Sequence, residues 1–379
     1  MTFSFPTQIE FGEGSVECLK QLVGDLALSK VLVVTDAGLV ETASFGQVRR
    51  VLESSGIEWA LFQDVHANPI ESDVRAAWGC YRDHHCEGVL AVGGGSPMDV
   101  GKAVRLLVKR PDLRLAEFDG RDDWSGLVPL IAIPTTAGTG SEVGRSSVIT
   151  PNDSERKSVL FHPELLARVA ILDPGLTIGL PAGLSAATGL DALTHCIESY
   201  TSPVFHPLCD GIALEGIRLI AEALPRVIKE PADMEARGRM QMAAAMGGVA
   251  FQKDLGAVHS MAHPLSALHG MHHGLANALC LTGVMALNAA RRPGLYREVA
   301  WALGADVRSH DPAKVDDAAI ACIKALLDQV SISPGLSGHG IESGDLSRLV
   351  EEALLDPCHR TNPVPLSRGD FEGLYRNAL

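Results

Sequence analysis

Aromatic residues are scarce in this sequence, at 5% of 379 positions, whereas glycine occurs 38 times. That balance suits the tight loops of an α/β fold better than an aromatic-rich β-sandwich. The eight cysteines are scattered and contain no CxxC pair, which excludes a disulfide framework. Scattered thiols are typical of a reducing compartment, and we therefore expect a cytoplasmic protein.

The sequence also lacks a run of lysine and arginine, a long apolar segment and a secretory signal. Because the formal net charge is −14, we expect neither nucleic acid nor an anionic membrane as a partner. The apolar runs are short and interrupted by charges, Gly or Pro, so no transmembrane helix is expected. The first twelve residues do not pair a basic region with an apolar core. These absences indicate a globular protein, and a length of 379 residues favours two domains.

The apolar pattern changes between the two halves of the chain. Short β-branched runs predict buried parallel strands at residues 31–34, 59–62, 88–92, 128–133 and 169–172. Apolar residues spaced by three and four predict helices at residues 191–200, 211–230, 234–251, 258–268 and 312–330. The sequence therefore predicts an α/β, Rossmann-like domain with a parallel sheet over residues 1–177. An all-helical domain is expected over residues 178–379.

Two features at the ends of predicted strands are typical of dinucleotide binding. The run GGGSPMD, residues 93–99, allows a sharp turn into a helix whose free N–H groups suit a pyrophosphate. We expect Ser96 to cap this helix and Asp99 to complete a capping box. The spacing is not GxGxxG, and a plain strand-to-helix turn explains the glycines equally well. Asp36 ends another strand, where it either caps a helix or accepts hydrogen bonds from a ribose and repels the 2′-phosphate of NADP.

A loop rich in hydroxyl groups follows the predicted strand at residues 128–133. Its sequence is PTTAGTGSEV, residues 134–143, and ligands of open α/β sheets bind at such strand ends. A turn whose hydroxyl groups satisfy one another is an equal alternative.

Histidines cluster in the predicted helical half. Asp191 and His195 are four residues apart and share a helix face, as do His259 and His263, and His273 follows. Three imidazoles and one carboxylate suit a divalent first-row metal such as iron or zinc. An open position on that metal would polarise an alcohol or carbonyl oxygen, as hydride transfer requires. The alternative is a set of hydrogen-bonded core histidines. Neither HExxH nor GxSxG is present, so protease and hydrolase interpretations lack their motifs.

At these motifs the sequence resembles the iron-containing (group III metal-dependent) alcohol dehydrogenases, a family that includes lactaldehyde reductase and 1,3-propanediol dehydrogenase. The resemblance covers nearly the whole chain, through residues 5–14, 93–103, 134–143, 186–195, 256–264, 273–277 and 361–363. It implies the fold shared with dehydroquinate synthase and hydride transfer between NAD(H) and a small alcohol or aldehyde. It also implies Fe²⁺, with Zn²⁺ as the alternative, and a homodimer.

The resemblance assigns roles to individual residues. The implied metal ligands are Asp191, His195, His259 and His273, with His272 a rival for the last place. His263 matches the non-ligand histidine beside the nicotinamide, a candidate for proton handling or cofactor positioning. The implied cofactor contacts are Asp36, Asn68, Gly94, Gly95, Ser96, Asp99, Thr135, Thr136, Thr139, Ser141 and Lys157. Phe251 and Cys358 match positions near the substrate pocket, although ordinary core packing explains them equally well.

Other functions remain open on the sequence. A sugar phosphate cyclase similar to dehydroquinate synthase, which is a lyase, would use a glutamate ligand and a basic cluster for phosphate. Here the carboxylate is Asp191, without an obvious Lys/Arg cluster beside it. A zinc-dependent glycerol dehydrogenase would have fewer metal histidines, and a non-catalytic metal- or nucleotide-binding protein would keep the fold without turnover. The substrate is not fixed, but few charges in the expected pocket favour a small neutral alcohol or aldehyde.

Overall fold

The computed structural model describes residues 5, 7–153, 157–309 and 311–379. Pro6 of the first family motif and residues 154–155 of the loop before Lys157 lie outside the described residues. The chain packs into two compact units. The first comprises the described residues up to Thr136 together with Gly140–Leu180, and the second comprises Ala137–Thr139 and Pro181–Leu379. The domain boundary placed after residue 177 stays a prediction.

The first unit contains eight strands among its described residues. They are β1 (Gln8–Phe11), β2 (Lys30–Val34), β3 (Glu58–Phe62), β4 (Gly88–Gly93), β5 (Leu130–Pro134), β6 (Ser146–Ile149), β7 (Ser158–Phe161) and β8 (Val169–Leu172). Six of them form one sheet in the order β1-β8-β5-β4-β2-β3, in which every pairing is parallel. The other two, β6 and β7, form an antiparallel pair.

Helices cover both faces of the six-stranded sheet. In chain order they are α1 (Leu19–Asp25), α2 (Ala37–Val40), α3 (Ala43–Ser55), α4 (Glu71–Asp83) and α5 (Gly95–Lys109). Successive strand residues point to opposite faces, so Leu32 packs in a core with α4 and α5, whereas Val33 packs in a core with α1 and α3. Burial on both faces explains why these strands are continuous apolar runs.

The five strands expected from apolar runs are confirmed as β2, β3, β4, β5 and β8. Sequence reasoning missed β1 because its side chains are mostly exposed. It missed β6 because only alternate residues are buried, and β7 because only Leu160 is buried. All three therefore lack the continuous apolar run that reveals a fully buried strand.

The described residues of the second unit form helices joined by loops and contain no strand. Its helices are α6 (Ala182–Thr201), α7 (Pro207–Lys229), α8 (Met234–Ala250), α9 (Ala257–His269), α10 (His273–Arg291), α11 (Arg297–Ala302), α12 (Pro312–Gln329), α13 (Leu346–Leu355) and α14 (Arg368–Ala378). They surround one apolar core, in which α6 packs against α7, α8 and α10. The predicted fold class, an α/β unit with a parallel sheet followed by a helical unit, is confirmed. None of the helices in the described residues is both long and apolar enough to span a membrane.

Candidate metal centre and cofactor site

Three helices of the second unit bring one carboxylate and three imidazoles together. Asp191 and His195 lie one turn apart on α6, His259 lies in the first turn of α9, and His273 is the first residue of α10. The Oδ1 atom of Asp191 is 3.8 Å from Nε2 of His195 and 4.0 Å from Nε2 of His259. It is 3.6 Å from Nε2 of His273. The structure thus gathers the three imidazoles around a single carboxylate oxygen.

The spacing of these atoms fits a shared cation better than direct hydrogen bonding. All three O–N separations exceed the 2.7–3.2 Å typical of a hydrogen bond. Two atoms bonded to one first-row cation at roughly 2.0–2.2 Å each can lie up to about 4.4 Å apart. Each separation from Asp191 falls below that limit. The side chain of His273 is 31% exposed, whereas Asp191 and His259 are buried, so the cluster has one accessible side.

Asn277 lies beside three of the four atoms of this cluster. Its amide nitrogen lies 2.7 Å from Oδ1 of Asp191 and 3.2 Å from Nε2 of both His259 and His273. An amide group has only two hydrogens, so it cannot donate to three acceptors. Asn277 can therefore donate ordinary hydrogen bonds to at most two of these three atoms.

The electrostatics favour the protonation states that bind metals. Burial alone would raise the pKa of Asp191, but His195, His273 and His259 outweigh burial and lower it to about 2. Burial, and secondly the neighbouring His195, lower the pKa of His259 well below its ordinary value. Asp191 is therefore a carboxylate and His259 a neutral imidazole at pH 7.

Glu198 contacts His259 at Nδ1, the ring nitrogen that does not face Asp191. Its Oε2 atom lies 2.6 Å from Nδ1 of His259, and its Oε1 accepts the Val258 N–H at 2.7 Å. A carboxylate on Nδ1 holds the proton there and leaves the Nε2 lone pair facing Asp191. Burial raises the pKa of Glu198 to about 7, although hydrogen bonds from backbone N–H groups oppose this. Sequence reasoning missed Glu198, although it lies seven residues after Asp191 and three after His195, on the same face of α6.

Gly274 lets the start of α10 approach α6. A Cβ atom at this position would lie 2.1 Å from the carbonyl oxygen of Ala187 and 3.0 Å from Cβ of Asp191. No side chain fits in that space. The absence of a side chain at residue 274 therefore allows His273 to reach Asp191, whereas His272 precedes the helix as its N-cap.

The remaining residues predicted for this region border the cluster. The His263 ring stacks on that of His273, with centroids 5.3 Å apart, and its Nδ1 lies 2.6 Å from Oδ2 of Asp356. The Phe251 ring lies 5.4 Å from that of His195. Cys358 is close to His263 and Asp356, since one potential ligand atom from each lies within 4.8 Å of the others. Asp356 was missed because 93 residues separate it from His263 in the sequence.

In the first unit, the carboxyl ends of three adjacent strands carry predicted cofactor residues. Asp36 follows β2 and caps α2, its Oδ1 accepting the Leu39 N–H at 2.9 Å. A Cβ atom at Gly93, the end of β4, would lie 3.6 Å from Oδ2 of Asp36. A Cβ atom at Gly94 would lie 3.5 Å from Cγ2 of Thr136, which follows β5. This strand edge is where open α/β sheets bind ligands.

The expected capping of the glycine-turn helix is wrong. Helix α5 begins at Gly95 with Gly94 as its N-cap, because Gly93, at φ +143°, turns the chain earlier than expected. The Ser96 hydroxyl donates instead to the Ala67 carbonyl at 2.7 Å. Asp99 faces away from the N-cap, and its oxygens accept the Ser141 hydroxyl and the Val148 N–H.

A fully buried lysine, which sequence reasoning did not identify, organises this part of the first unit. The Lys102 Nζ donates to Oγ of Ser141 at 2.8 Å and to the Ser146 carbonyl at 2.7 Å. Burial lowers the pKa of Lys102 to about 8, although Asp99 and Glu142 oppose this. Asp99 and Ser141 therefore form part of a buried polar network that joins α5 to β6.

The other predicted cofactor residues differ in their surroundings. Asn68 is exposed, Thr135 is buried and donates its N–H to the Gly93 carbonyl, and Lys157 is half-buried. Burial lowers the pKa of Lys157, although Asp99 opposes this. Thr139 belongs to the second unit.

Family models, curated proteins and solved structures similar to this chain were found. A model of the iron-containing alcohol dehydrogenase family matches residues 6–174, and a model of the C-terminal part of that family matches residues 185–379. A probable alcohol dehydrogenase from Escherichia coli K12 is 40% identical over 100% of this chain and 94% of its own. A 4-hydroxybutyrate dehydrogenase from Cupriavidus necator is 36% identical over 98% of both chains. The crystal structure of a 1,3-propanediol oxidoreductase superposes with a TM-score of 0.96 at 33% identity, covering both chains completely.

Proposed function

Because this chain belongs to the iron-containing alcohol dehydrogenase family, we propose that it transfers hydride between NAD(H) and a small neutral alcohol or aldehyde. Family membership confirms the resemblance found in the sequence, and the chain is an oxidoreductase of the alcohol dehydrogenase class. The observation that carries the proposal is the gathering of three imidazole Nε2 atoms within 4.0 Å of one Asp191 oxygen.

In this proposal Asp191, His195, His259 and His273 hold a divalent cation. We assign Fe²⁺, with Zn²⁺ as the alternative for the same nitrogen and oxygen donors. When bound, such a cation supplies a Lewis acid that stabilises negative charge developing on a substrate oxygen. Glu198 holds His259 in the tautomer that presents Nε2, because its carboxylate takes the Nδ1 proton as a hydrogen bond.

The cofactor contacts that we propose lie at the strand edge of the first unit. The N–H groups at the start of α5, at Gly94, Gly95 and Ser96, suit a pyrophosphate because a helix N-terminus carries free donors and a positive dipole. Asp36 uses Oδ1 to cap α2, which leaves Oδ2 to accept hydrogen bonds from ribose hydroxyls. Its negative charge repels a 2′-phosphate, so we expect preference for NAD(H) over NADP(H).

The other predicted contacts fall into two groups. Thr136 lies beside Gly94, and we propose that it and Thr135, Thr139, Asn68 and Lys157 contact the cofactor directly. Asp99 and Ser141 bond to each other and to Val148 and Lys102, and we propose that they support the loop that carries the threonines.

We propose that His263 handles the proton that accompanies hydride transfer. Its side chain is 28% exposed and its ring stacks on that of His273, beside the four proposed ligands. Alcohol oxidation releases a proton from the hydroxyl group, and a neutral imidazole nitrogen at this place is a suitable acceptor.

The charges near Cys358 support a neutral substrate. Burial first, then the carboxylates of Asp356, Glu198 and Asp254, raise the pKa of Cys358 well above its ordinary value. Lys253, which precedes Asp254, is buried and forms an ion pair with Asp210, so its charge is already balanced. A substrate with a carboxylate would meet the negative charge of Asp356, which accepts the Cys358 N–H. In this respect we expect the chain to differ from its 4-hydroxybutyrate dehydrogenase relative.

A matched pair of four-carbon alcohols tests the proposal. Protein reconstituted with Fe²⁺ is assayed for NADH formation with butan-1-ol and with 4-hydroxybutyrate, and NADP⁺ is tested in parallel. We expect a higher kcat/KM for butan-1-ol, a preference for NAD⁺, and no turnover by His259→Ala. Absence of turnover with every small alcohol and aldehyde would refute the proposed reaction. Preference for 4-hydroxybutyrate would refute the neutral substrate alone.

The alternatives from the sequence are less well supported. The family models that match are those of alcohol dehydrogenases, and the carboxylate at the cluster is an aspartate, so a sugar phosphate cyclase is not favoured. Three imidazoles at the cluster distinguish the proposed site from a glycerol dehydrogenase with fewer metal histidines.

We also propose that the protein is a cytoplasmic homodimer. All eight cysteines are free thiols, which suits a reducing compartment.

Strand β1 lies at one edge of the sheet and exposes Ile9 and Phe11, so a second copy could pair with this edge by two-fold symmetry. Light scattering of the wild type should give twice the mass of one chain. Phe11→Lys should lower the measured mass toward that of one chain. A monomeric wild type would refute the dimer.

A further inference from the structure

Two neighbouring histidines of α9 are held in the same way. The Nδ1 atom of His259 lies 2.6 Å from a Glu198 oxygen, and the Nδ1 atom of His263, one turn later, lies 2.6 Å from an Asp356 oxygen. A carboxylate only accepts hydrogen bonds, so the Nδ1 atom facing it carries a proton, and Nε2 is the atom that holds the lone pair in the neutral form of the ring. The proposed ligand and the proposed proton acceptor thus have equivalent supports.

The hydrogen bonds around Asp356 fix which of its oxygens faces His263. Asp356 follows α13 and precedes the short turn Cys358–Thr361. Its Oδ1 accepts the Cys358 N–H at 2.9 Å and the Ser260 hydroxyl at 2.8 Å. The Ser260 oxygen in turn accepts the His359 N–H at 2.8 Å, so its own proton is directed to Asp356. Oδ1 is therefore committed to two donors, and Oδ2 is left for His263.

We propose that Asp356 is a positioning residue that holds His263 in the Nδ1–H tautomer, so that Nε2 is the atom that accepts the substrate proton. The proposal rests on the proposed function for its effect on turnover, but not for the tautomer itself. In this proposal Asp356 acts through His263, to which it is hydrogen-bonded. Ser260 and the backbone of Cys358 orient Asp356 in the same way that the Val258 N–H orients Glu198.

The hydrogen bonds of Asp356 predict that Asp356→Asn changes the tautomer of His263. The Cys358 N–H can only donate, so the carbonyl oxygen of the new amide must stay at the Oδ1 position. The amide NH₂ then replaces Oδ2 and faces Nδ1 of His263 as a donor. His263 must respond by accepting at Nδ1 and moving its proton to Nε2, which removes the proton acceptor without changing the size of either side chain.

Nitrogen NMR of histidine-labelled protein reads the tautomer directly. The signals of His263 are identified as those lost in His263→Gln, and the metal-free full-length chain is used so that the readout does not depend on turnover. We expect the Nδ1–H form in the wild type and the Nε2–H form in Asp356→Asn. An Nε2–H form in the wild type, or an unchanged tautomer in the variant, would overturn the proposal.

Kinetics of a double-mutant cycle separate positioning from a structural effect. We expect Asp356→Asn to lower kcat about 10- to 100-fold with bound metal and melting temperature retained. In the His263→Ala background the same change should alter kcat by less than about twofold, because Asp356 acts only through His263. Equal losses in both backgrounds would contradict the proposal.

Glu351→Gln is the matched control, because it makes the same carboxylate-to-amide change on the exposed face of α13. It should leave kcat and both tautomers unchanged. If the wild type turned over no alcohol or aldehyde at all, the proposed function would fail, while the NMR result would still decide the role of Asp356.

Discussion

The site depends on which ring nitrogen of each histidine carries a proton. His259 and His263 both present Nε2 because a carboxylate occupies Nδ1, at 2.6 Å in each case. Imidazole binds a cation only through an unprotonated nitrogen, so the tautomer decides whether a histidine can serve as a ligand. In our proposal two residues outside the ligand set, Glu198 and Asp356, therefore set the tautomers of the proposed ligand His259 and of the proposed proton acceptor His263.

Changing Glu198 to Gln should weaken metal binding without removing a proposed ligand. The Val258 N–H holds the amide oxygen at the Oε1 position, so the NH₂ group faces Nδ1 of His259 and forces the proton onto Nε2. We expect metal affinity to fall about 10- to 100-fold, measured by competition with a chromophoric chelator. Asp356→Asn is the control, since it makes the equivalent change at a histidine outside the ligand set. Equal affinities for Glu198→Gln and the wild type would refute the role of Glu198.

Some of these residues could be predicted from the sequence and others could not. Asp191 and His195 share a helix face by their spacing of four, and the histidines between 259 and 273 are conspicuous in the sequence. Glu198 continues the same face of α6 and could have been found by extending that pattern. Asp356 could not, because it meets His263 only through tertiary packing across 93 residues.

At the level of elements, the site is built where α6, α9 and α10 approach closely. Helices α6 and α10 pack along each other, and Gly274 removes the side chain at their tightest point. Apolar periodicity predicted α9 closely, but it placed the start of α6 at Asp191 instead of Ala182 and did not identify α10. It does not report how near two helices approach, which depends on the small residues between them.

Gly274→Ala should separate α10 from α6 and so weaken the metal site. The added methyl group would lie 2.1 Å from the Ala187 carbonyl oxygen, which cannot move without disturbing α6. We expect a loss of stability on the order of 1–3 kcal/mol together with weaker metal binding, measured by chemical denaturation and chelator competition.

Gly283→Ala is the control on the same helix. The nearest atom to its added methyl group is Cδ2 of Leu374 at 3.7 Å, an ordinary contact. It should keep metal affinity and should not lower stability, because alanine favours a helix over glycine. Equal metal affinity of the two variants would contradict the role assigned to Gly274.

For the whole molecule, the sequence predicted that a parallel α/β unit is followed by a helical unit. It could do so because continuous apolar runs and helical periodicity each extend over many residues. It did not reveal the buried charges that accompany the site. Lys102 and Glu142 are buried in the first unit, with 0% and 2% exposure. Positions buried to this degree are usually occupied by apolar residues. Such groups make the stability of the chain depend on pH.

Glu142 should reduce the stability of the wild type as the pH rises. Burial raises its pKa to about 7 from the ordinary 4.5, although Lys102 opposes this. Between these values the folded chain holds a proton that the unfolded chain has released, so stability is lost from about pH 4.5 to pH 7. Glu142→Gln cannot ionise, and its melting temperature should exceed that of the wild type by more at pH 8 than at pH 5.

The expected free-energy difference is about 3 kcal/mol, since one pKa unit corresponds to about 1.4 kcal/mol. Glu53→Gln makes the same carboxylate-to-amide change at an exposed position of α3 and serves as the matched control. A constant difference between Glu142→Gln and the wild type from pH 5 to pH 8 would exclude ionisation of Glu142 as its cause.

The most direct test of the whole account is the metal content of the full-length protein, measured by mass spectrometry of elements after reconstitution with Fe²⁺ under reducing conditions. The account predicts about one tightly bound ion per chain in the wild type and none in His259→Ala, with both proteins folded by circular dichroism. Retention of the ion by His259→Ala, or a wild type that binds none, would contradict it.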